Sequence, residues 1–386
     1  MKILYFANSR IPTEKAYGLQ IMKTCEALAE NGVSVDLILP TRKNRPFKGI
    51  DVFEYYGVKK NFEIKRILSH DPNWLMILPN GIFIKAQIFF FSLSLFLFLF
   101  FKQSKKDFIF YTRDEYLLPI LLNFSKKVFW EAHTLPRNGK HYLKFWHKCV
   151  GIVAITEGLK KDLIKLGLEE NKIMVAPDGV DLKNFELRIK NYELRARFNL
   201  PADKKIVMYT GHLYDWKGTQ TLAEAAEFLN DDAIVVFIGG TDFDLKNFKN
   251  KNRELIEKGK ILLLGQRPPR EIPEFLAVAD CLILPNSGKE NRSEKYTSPM
   301  KMFEYLAAGK PIVASNLPSI KEILNQDNAV LVEADKPEEF ARGIVKVLTD
   351  DPECSGLAQK ISAQAKEDSK KYSWLKRVEK ILNFIR

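Results

Sequence analysis

The chain has 386 residues, enough for two or three domains with separate apolar cores at roughly 150 residues per domain. Its 46% hydrophobic and 28% charged residues form a globular composition, which excludes a disordered chain. The net charge of +12 is uneven, with +10 in residues 1–180 and +2 in residues 181–386, so the first half suits nucleic acid, anionic lipid or phosphorylated substrates alike. Zinc-finger spacing and RNP-type aromatic strands are absent, which turns the reading away from nucleic acid. Cys25, Cys149, Cys281 and Cys354 stand far apart without a CxxC pair, so neither a zinc site nor a disulfide framework is indicated. Met1 runs straight into KILYFA with no leader-like segment before it, and a cytoplasmic protein is expected.

Short β-branched or aromatic runs alternate with helical-period segments from the start. KILYFA (2–7), a helix through 19–32 and VSVDLIL (33–39) read as β-α-β, and strands are predicted at 107–112, 127–132 and 151–156. The second half repeats the logic. Strands are predicted at 204–211, 233–240, 260–265, 280–285 and 310–315, with helices at 218–229, 271–279 and 299–308. The fold class is therefore α/β, with two domains built on parallel sheets covered on both faces. The polar, weakly patterned stretch 181–203 is predicted to be the hinge between domains at 1–180 and 204–370. The last segment, 371–386, carries Trp374, Leu375, Val378, Ile381, Leu382 and Ile385 at helical spacing, so it needs an apolar surface to lie on.

Residues 82–101 read IFIKAQIFFFSLSLFLFLFF, with Lys85 the one charge. The uncharged part spans about 24 Å as a helix, short of the roughly 30 Å hydrocarbon core. Two readings stay open: a helix buried in the first domain, or one whose Phe/Leu surface dips into a membrane while Lys102, Lys105 and Lys106 meet anionic head groups.

Four residue sets carry chemistry. In TSPMKMFEYLAAGKPIV (297–313), Thr297 and Ser298 stand as helix N-caps, Pro299 suits the first turn and Gly309 closes the helix before a buried strand. Such a helix N-terminus favours a phosphate, and Glu304 lies where a carboxylate accepts hydrogen bonds from a ribose diol. In GHLYDWKG (211–218), Gly211 lets backbone approach a ligand and Lys217 offers a point charge to a diphosphate, without the glycine-rich run of a P-loop. Gly18 opens the first helix of the N-terminal half, and Glu131-Ala132-His133-Thr134 brings a histidine to a strand end. No GxGxxG follows the first strand, which disfavours a nicotinamide or flavin enzyme, and GxSxG and HExxH are absent.

Together these residues resemble the family 4 glycosyltransferases of the GT-B fold, also called glycosyl transferases group 1. The resemblance rests on SPMKMFEYLAAGKPIVAS (298–315), YTGHLYDWKG (209–218), VAITEGLKKDLIKLG (153–167), IMVAPDGVDLKNF (173–185) and LLGQRPPREIPEFLAVADCLILP (263–285), in the family's order over nearly the whole chain. It implies two facing Rossmann-like domains, an N-terminal one for the acceptor and a C-terminal one for a nucleotide-sugar, with a last helix crossing back to the N-terminal domain. It further implies that Lys217 grips the donor diphosphate with Thr297, Ser298 and the helix N-terminus, that Glu304 binds the ribose, and that Gly211 and Gly18 lie near the phosphates. His212 stands where the family commonly has arginine, and His133 matches the histidine that contacts the transferred sugar. The chain departs from the E-x7-E motif: Tyr296 stands where the first glutamate belongs, with Glu290 and Glu294 as nearby carboxylates.

The implied activity is retaining, metal-independent transfer of a hexose-type sugar, from a UDP- or GDP-linked donor and with no cofactor, to a glycan or lipid-linked acceptor in cell-envelope or surface polysaccharide synthesis. His133, Lys217 and Glu304 are the expected catalytic set, and the inner face of the cell membrane is the expected place of any peripheral contact. Two alternatives stay open: a non-catalytic nucleotide-sugar-binding protein at the membrane, for which Tyr296 speaks, and a nucleotide-sugar epimerase of the same fold.

Overall fold

The computed structural model describes the chain apart from residues 43, 78–80, 102–107, 137–138, 187–188 and 350–355 and the side chain of Met76. Lys102, Lys105, Lys106 and Cys354 lie outside the described residues. The chain forms two compact units, one of Met1–Pro177 with Trp374–Arg386 and one of Asp178–Ser373.

The first unit holds β1 (Lys2–Phe6), β2 (Ser34–Pro40), β3 (Glu63–Ile67), β4 (Ile109–Thr112), β5 (Val128–Ala132), β6 (Gly151–Ala154) and β7 (Ile173–Val175). Their order across the sheet is β3-β2-β1-β4-β5-β6-β7, all neighbours parallel. The second unit holds β8 (Lys205–Thr210), β9 (Ala233–Ile238), β10 (Ile261–Gly265), β11 (Cys281–Leu284), β12 (Ile312–Ser315) and β13 (Val330–Val332), ordered β10-β9-β8-β11-β12-β13 and again parallel. Central strands such as β9 and β11 are buried at every position, as continuous apolar runs covered on two faces require.

This topology fixes where a ligand can sit. Chain direction around each sheet reverses between β1 and β4 and between β8 and β11. The connections leaving the carboxyl ends of those strands part to either side and leave a crevice, the usual ligand site of open α/β sheets. Residues 7–15 follow β1, and residues 211–218 and 285–299 follow β8 and β11.

The predicted hinge at 181–203 is instead packed structure of the second unit. A helix spans Asn191–Arg197, Leu194 is fully buried in that unit's core with Leu200 at 6% exposure, and Phe198 stacks on Phe275 at 3.8 Å. Sparse apolar residues among charges hid it. The last helix, Trp374–Ile385, belongs to the first unit. It buries Trp374, Val378, Ile381 and Leu382, sets Phe384 against Phe129, and leaves Leu375 exposed.

Residues Ile82–Phe101 form one helix, long and apolar enough to cross a membrane by length and composition, yet tied to the first unit. Phe91, Leu95 and Leu99 are its buried stripe, and Phe96 packs on Phe124. Arg42 donates to the Gln87 carbonyl at 2.6 Å, and the Gln87 amide donates to Asp71 at 2.9 Å. The opposite face exposes Phe89, Leu93, Phe96, Leu97 and Phe100, at i, i+4, i+7, i+8 and i+11, and next to the helix Trp74 and Ile77 are 70% and 91% exposed. The buried-core reading of this helix thus holds for one stripe only.

Leu194→Ala tests the packing of the former hinge. A cavity in the second core should cost about 2–5 kcal/mol in urea unfolding, where a free linker position would cost close to nothing.

Candidate functional site

In the second unit, β8 ends at Thr210 and the chain turns through Gly211, at φ +123°, into 212–218. The loop is pinned to the segment after β11. Ser287 N–H and the Ser293 hydroxyl donate to the Trp216 carbonyl at 3.1 and 3.2 Å, and Gly218, at φ +69°, passes so close that an added Cβ would lie 1.7 Å from the Pro285 oxygen. The two connections flanking the crevice are therefore one tied assembly. From the β11 side comes the helix Met300–Ala308, closed by Gly309 in the left-handed region and anchored where the Tyr305 hydroxyl accepts from Thr210 N–H at 2.9 Å.

Its start differs from the sequence reading. Pro299 is the N-cap, without a side-chain cap bond, and the Ser298 hydroxyl accepts from Asp178 N–H at 3.0 Å, so Ser298 fastens the beginning of the unit rather than the helix end. Thr297 is buried beside it. Tyr296 ends the short helix Asn291–Lys295, half-buried; Glu294 is half-buried within that helix and Glu290 is exposed at its start.

Three cations gather on this assembly. Lys217 Nζ lies 3.8 Å from the Trp216 ring centroid, the Arg292 guanidinium lies 4.9 Å from the same ring, and Lys301 Nζ lies 3.6 Å from the Tyr209 ring. Burial, then Arg292, pushes Lys217 down to about 7. Burial, then Lys217, pushes Lys301 well down too, although Glu304 pulls the other way. Burial pushes the half-buried Glu304 carboxyl up to about 7 against the pull of Lys301. His212 stacks on Tyr214 at 4.8 Å, with Nδ1 3.6 Å from Asp244.

In the first unit, Glu131 at the end of β5 is fully buried and heavily bonded. It accepts from Gln20 at 2.5 Å, from Tyr111 and from His133 Nε2 at 2.7 Å, and pairs with Arg377 of the last helix at 3.0 Å. Burial alone would raise its carboxyl, but Arg377 and His133, with Tyr111, hold it well below the usual range. Burial, then Arg113, pushes His133 down to about 4 despite Glu131, so at neutral pH it is a neutral imidazole donating through Nε2. Gly18 is a glycine for another reason: a Cβ there would lie 2.3 Å from the Tyr56 hydroxyl, which itself bonds both backbone groups of Thr13.

Sequence reasoning assigned no role to Lys301, Arg292 or Arg377, although Lys301 stands inside the 297–313 motif. Arg377 had a readable signal, since it lies three residues after Trp374 and four before Ile381, on the apolar face of its helix.

Lys217, Arg292, Lys301 and the Glu304 carboxyl thus gather at the switch point of a parallel sheet, the usual place of a ligand on such a scaffold. Residues 190–368 match the family Glycosyl transferases group 1. Curated relatives include an N,N'-diacetylbacillosaminyl-diphospho-undecaprenol alpha-1,3-N-acetylgalactosaminyltransferase of Campylobacter jejuni, 29% identical over 58% of this chain and 56% of the relative. A D-inositol 3-phosphate glycosyltransferase of Xylanimonas cellulosilytica is 25% identical over 58% and 53%. The chain thus spans about half the length of the curated relatives it matches. The crystal structure of Anabaena Alr3699/HepE in complex with UDP and glucose has a TM-score of 0.73 at 14% identity, covering 99% of this chain and 98% of that one. That likeness is one of fold, which is GT-B.

Because the Glu304 carboxyl sits near 7 instead of its ordinary 4.5, its ionisation costs folded-state stability as pH rises from 4.5 through 7. Glu304→Gln should therefore raise the melting temperature more at pH 8 than at pH 5.5. A gain that is equal at both values, or larger at pH 5.5, would contradict this reading of the site.

Proposed function

We propose that the protein is a retaining, metal-independent glycosyltransferase that moves a sugar from a UDP- or GDP-sugar to a lipid-linked or glycan acceptor in cell-envelope polysaccharide synthesis. The observation that carries the reading is the tied loop and helix assembly of the second unit, where Lys217 and Glu304 stand at the switch point of a group 1 domain. Breaking a sugar–phosphate bond leaves negative charge on the departing diphosphate and positive charge on the sugar. A fixed ammonium and a helix N-terminus stabilise that leaving group without reorganising at the moment of reaction. In this reading Lys217 takes the diphosphate, Glu304 the ribose hydroxyls, and Gly211 admits backbone approach. Thr297 and Ser298 shape the entry to the helix, Tyr296 stands in the position of a sugar-directed carboxylate, and His133 contacts the sugar as a neutral imidazole. His212, committed to Tyr214 and Asp244, contributes less charge than an arginine would.

The exposed face of Ile82–Phe101 supports a peripheral membrane contact on the cytoplasmic side. An apolar stripe with Trp74 and Ile77 beside it, on the half of the chain that carries +10, suits an anionic bilayer surface. The Campylobacter jejuni relative is itself named for a diphospho-undecaprenol-linked acceptor.

Thermal denaturation with UDP, GDP, TDP and ADP and their sugars tests the donor, because a ligand that binds only the folded state raises its melting temperature. One nucleotide should stabilise the wild type, and Lys217→Met should abolish most of the shift. No shift with any of them would sink the donor reading and favour the non-catalytic alternative. Sugar transfer should persist in EDTA. For the membrane, wild-type protein should float with vesicles containing anionic lipid. Replacing Phe89, Leu93, Phe96 and Phe100 by serine, with buried Phe91 kept, should reduce flotation severalfold; equal flotation would refute the contact.

A further inference from the structure

We infer that Lys301 is a second diphosphate ligand of the C-terminal unit, its ammonium held in reserve for one phosphate of a nucleoside diphosphate while Lys217 takes the other. The inference rests on the donor reading above and adds a residue and a selectivity to it.

Lys301 lies in the first turn of the helix Met300–Ala308 and is 9% exposed. Among the described residues its Nζ has no hydrogen-bond partner. Buried lysines are rare, and one kept for stability alone is paired with a carboxylate or carbonyl, because a desolvated ammonium is costly. Glu304, three residues along the same helix, pulls on Lys301 electrostatically but forms no hydrogen bond with it. The Tyr209 ring face at 3.6 Å repays part of the desolvation, and among the described residues no carboxylate hydrogen-bonds to the ammonium.

Its position indicates what completes it. The helical side chain runs back toward the N-terminus of its helix. There it arrives beneath Gly211, where an added Cβ would lie 2.9 Å from Nζ and 3.3 Å from Cε. The ammonium thus reaches the same β8 turn that leads to Lys217, at a helix end that already favours anions. Burial and Arg292 lower the protonation of Lys217, and burial and Lys217 lower that of Lys301, so with one half-buried carboxylate nearby the pair is short of negative charge. A monophosphate meets one cation adequately; a diphosphate meets both. Lys301 thus biases the site toward nucleoside diphosphates over monophosphates.

Isothermal titration of wild type, Lys301→Met and Lys301→Gln with UDP, UMP and inorganic pyrophosphate, together with their melting temperatures, tests this. Methionine keeps the length and apolar stem of lysine. The expected result is a loss of at least tenfold in UDP and pyrophosphate affinity, less than threefold in UMP affinity, and a melting temperature equal to or above that of wild type. UDP affinity within twofold of wild type in both variants would overturn the inference. So would equal loss of UDP and UMP, or a fall in melting temperature in both variants with pyrophosphate binding intact, which would make the ammonium structural. Failure of the donor reading looks different: pyrophosphate binding that depends on Lys301, with no nucleoside diphosphate bound, would support the phosphate ligand while removing the nucleotide-sugar. Wild type that binds none of the three probes would overturn both.

Discussion

The second unit is organised around an electrostatic debt: ammonium groups brought out of water at the end of a sheet, with too little negative charge beside them. Desolvating a cation costs several kcal/mol, of which a desolvated cation–π contact returns about 2 kcal/mol. The fold holds Lys217 and Lys301 against that cost through uncharged framework. Gly218 passes under the Pro285 carbonyl, Ser287 and Ser293 bind the Trp216 carbonyl, and Tyr305 clamps the helix to Thr210. None of these contacts neutralises a lysine; each fixes where one stands. A site built this way is arranged for an anion that arrives from outside, and its donors need not move when charge develops on a leaving group.

The first unit handles charge in the opposite manner. Glu131 is as deeply buried as any residue, but Gln20, Tyr111, His133 and Arg377 satisfy it completely. The partner Arg377 comes from the last helix, which links the end of the chain to the strand end that presents His133. A saturated carboxylate of this kind sets the tautomer and orientation of the imidazole next to it, while burial and then Arg113 keep that imidazole neutral at physiological pH against the pull of Glu131.

Much of this was legible because buried parallel strands are continuous apolar runs and the helices between them keep a 3.6-residue period. The strands that escaped, β3 (EIKRI), β7 and β13, are edge or three-residue strands, where one neighbour and partial exposure permit polar sequence; Lys65 of β3 serves as an ion-pair partner for Asp36 instead of filling a core. The segment 181–203 read as a hinge because Leu194, Phe198 and Leu200 are diluted by charges, and only the tertiary fold shows that all three point to one core. Among the candidate residues, Lys217 of the second unit and His133 of the first were visible as polar residues after strands, and Glu304 as a carboxylate in the helix that follows β11. Lys301 was not, since a lysine in the first turn of a helix reads the same whether it faces water or Tyr209. The role of Ser298 was misassigned for a similar reason: its partner, Asp178, is 120 positions away.

The central claim is that these lysines are kept short of negative charge until a diphosphate enters. With Lys217 held near 7 and Lys301 well below its ordinary value, a bound diphosphate must raise both, so binding at pH 8, where Glu304 is already ionised, draws protons from solution. The direct measurement is the calorimetric enthalpy of UDP binding at pH 8 in two buffers of different ionisation enthalpy. The account predicts a buffer-dependent enthalpy corresponding to net proton uptake. An enthalpy independent of buffer, with UDP bound, would show both ammonium groups already charged in the empty site and would contradict it.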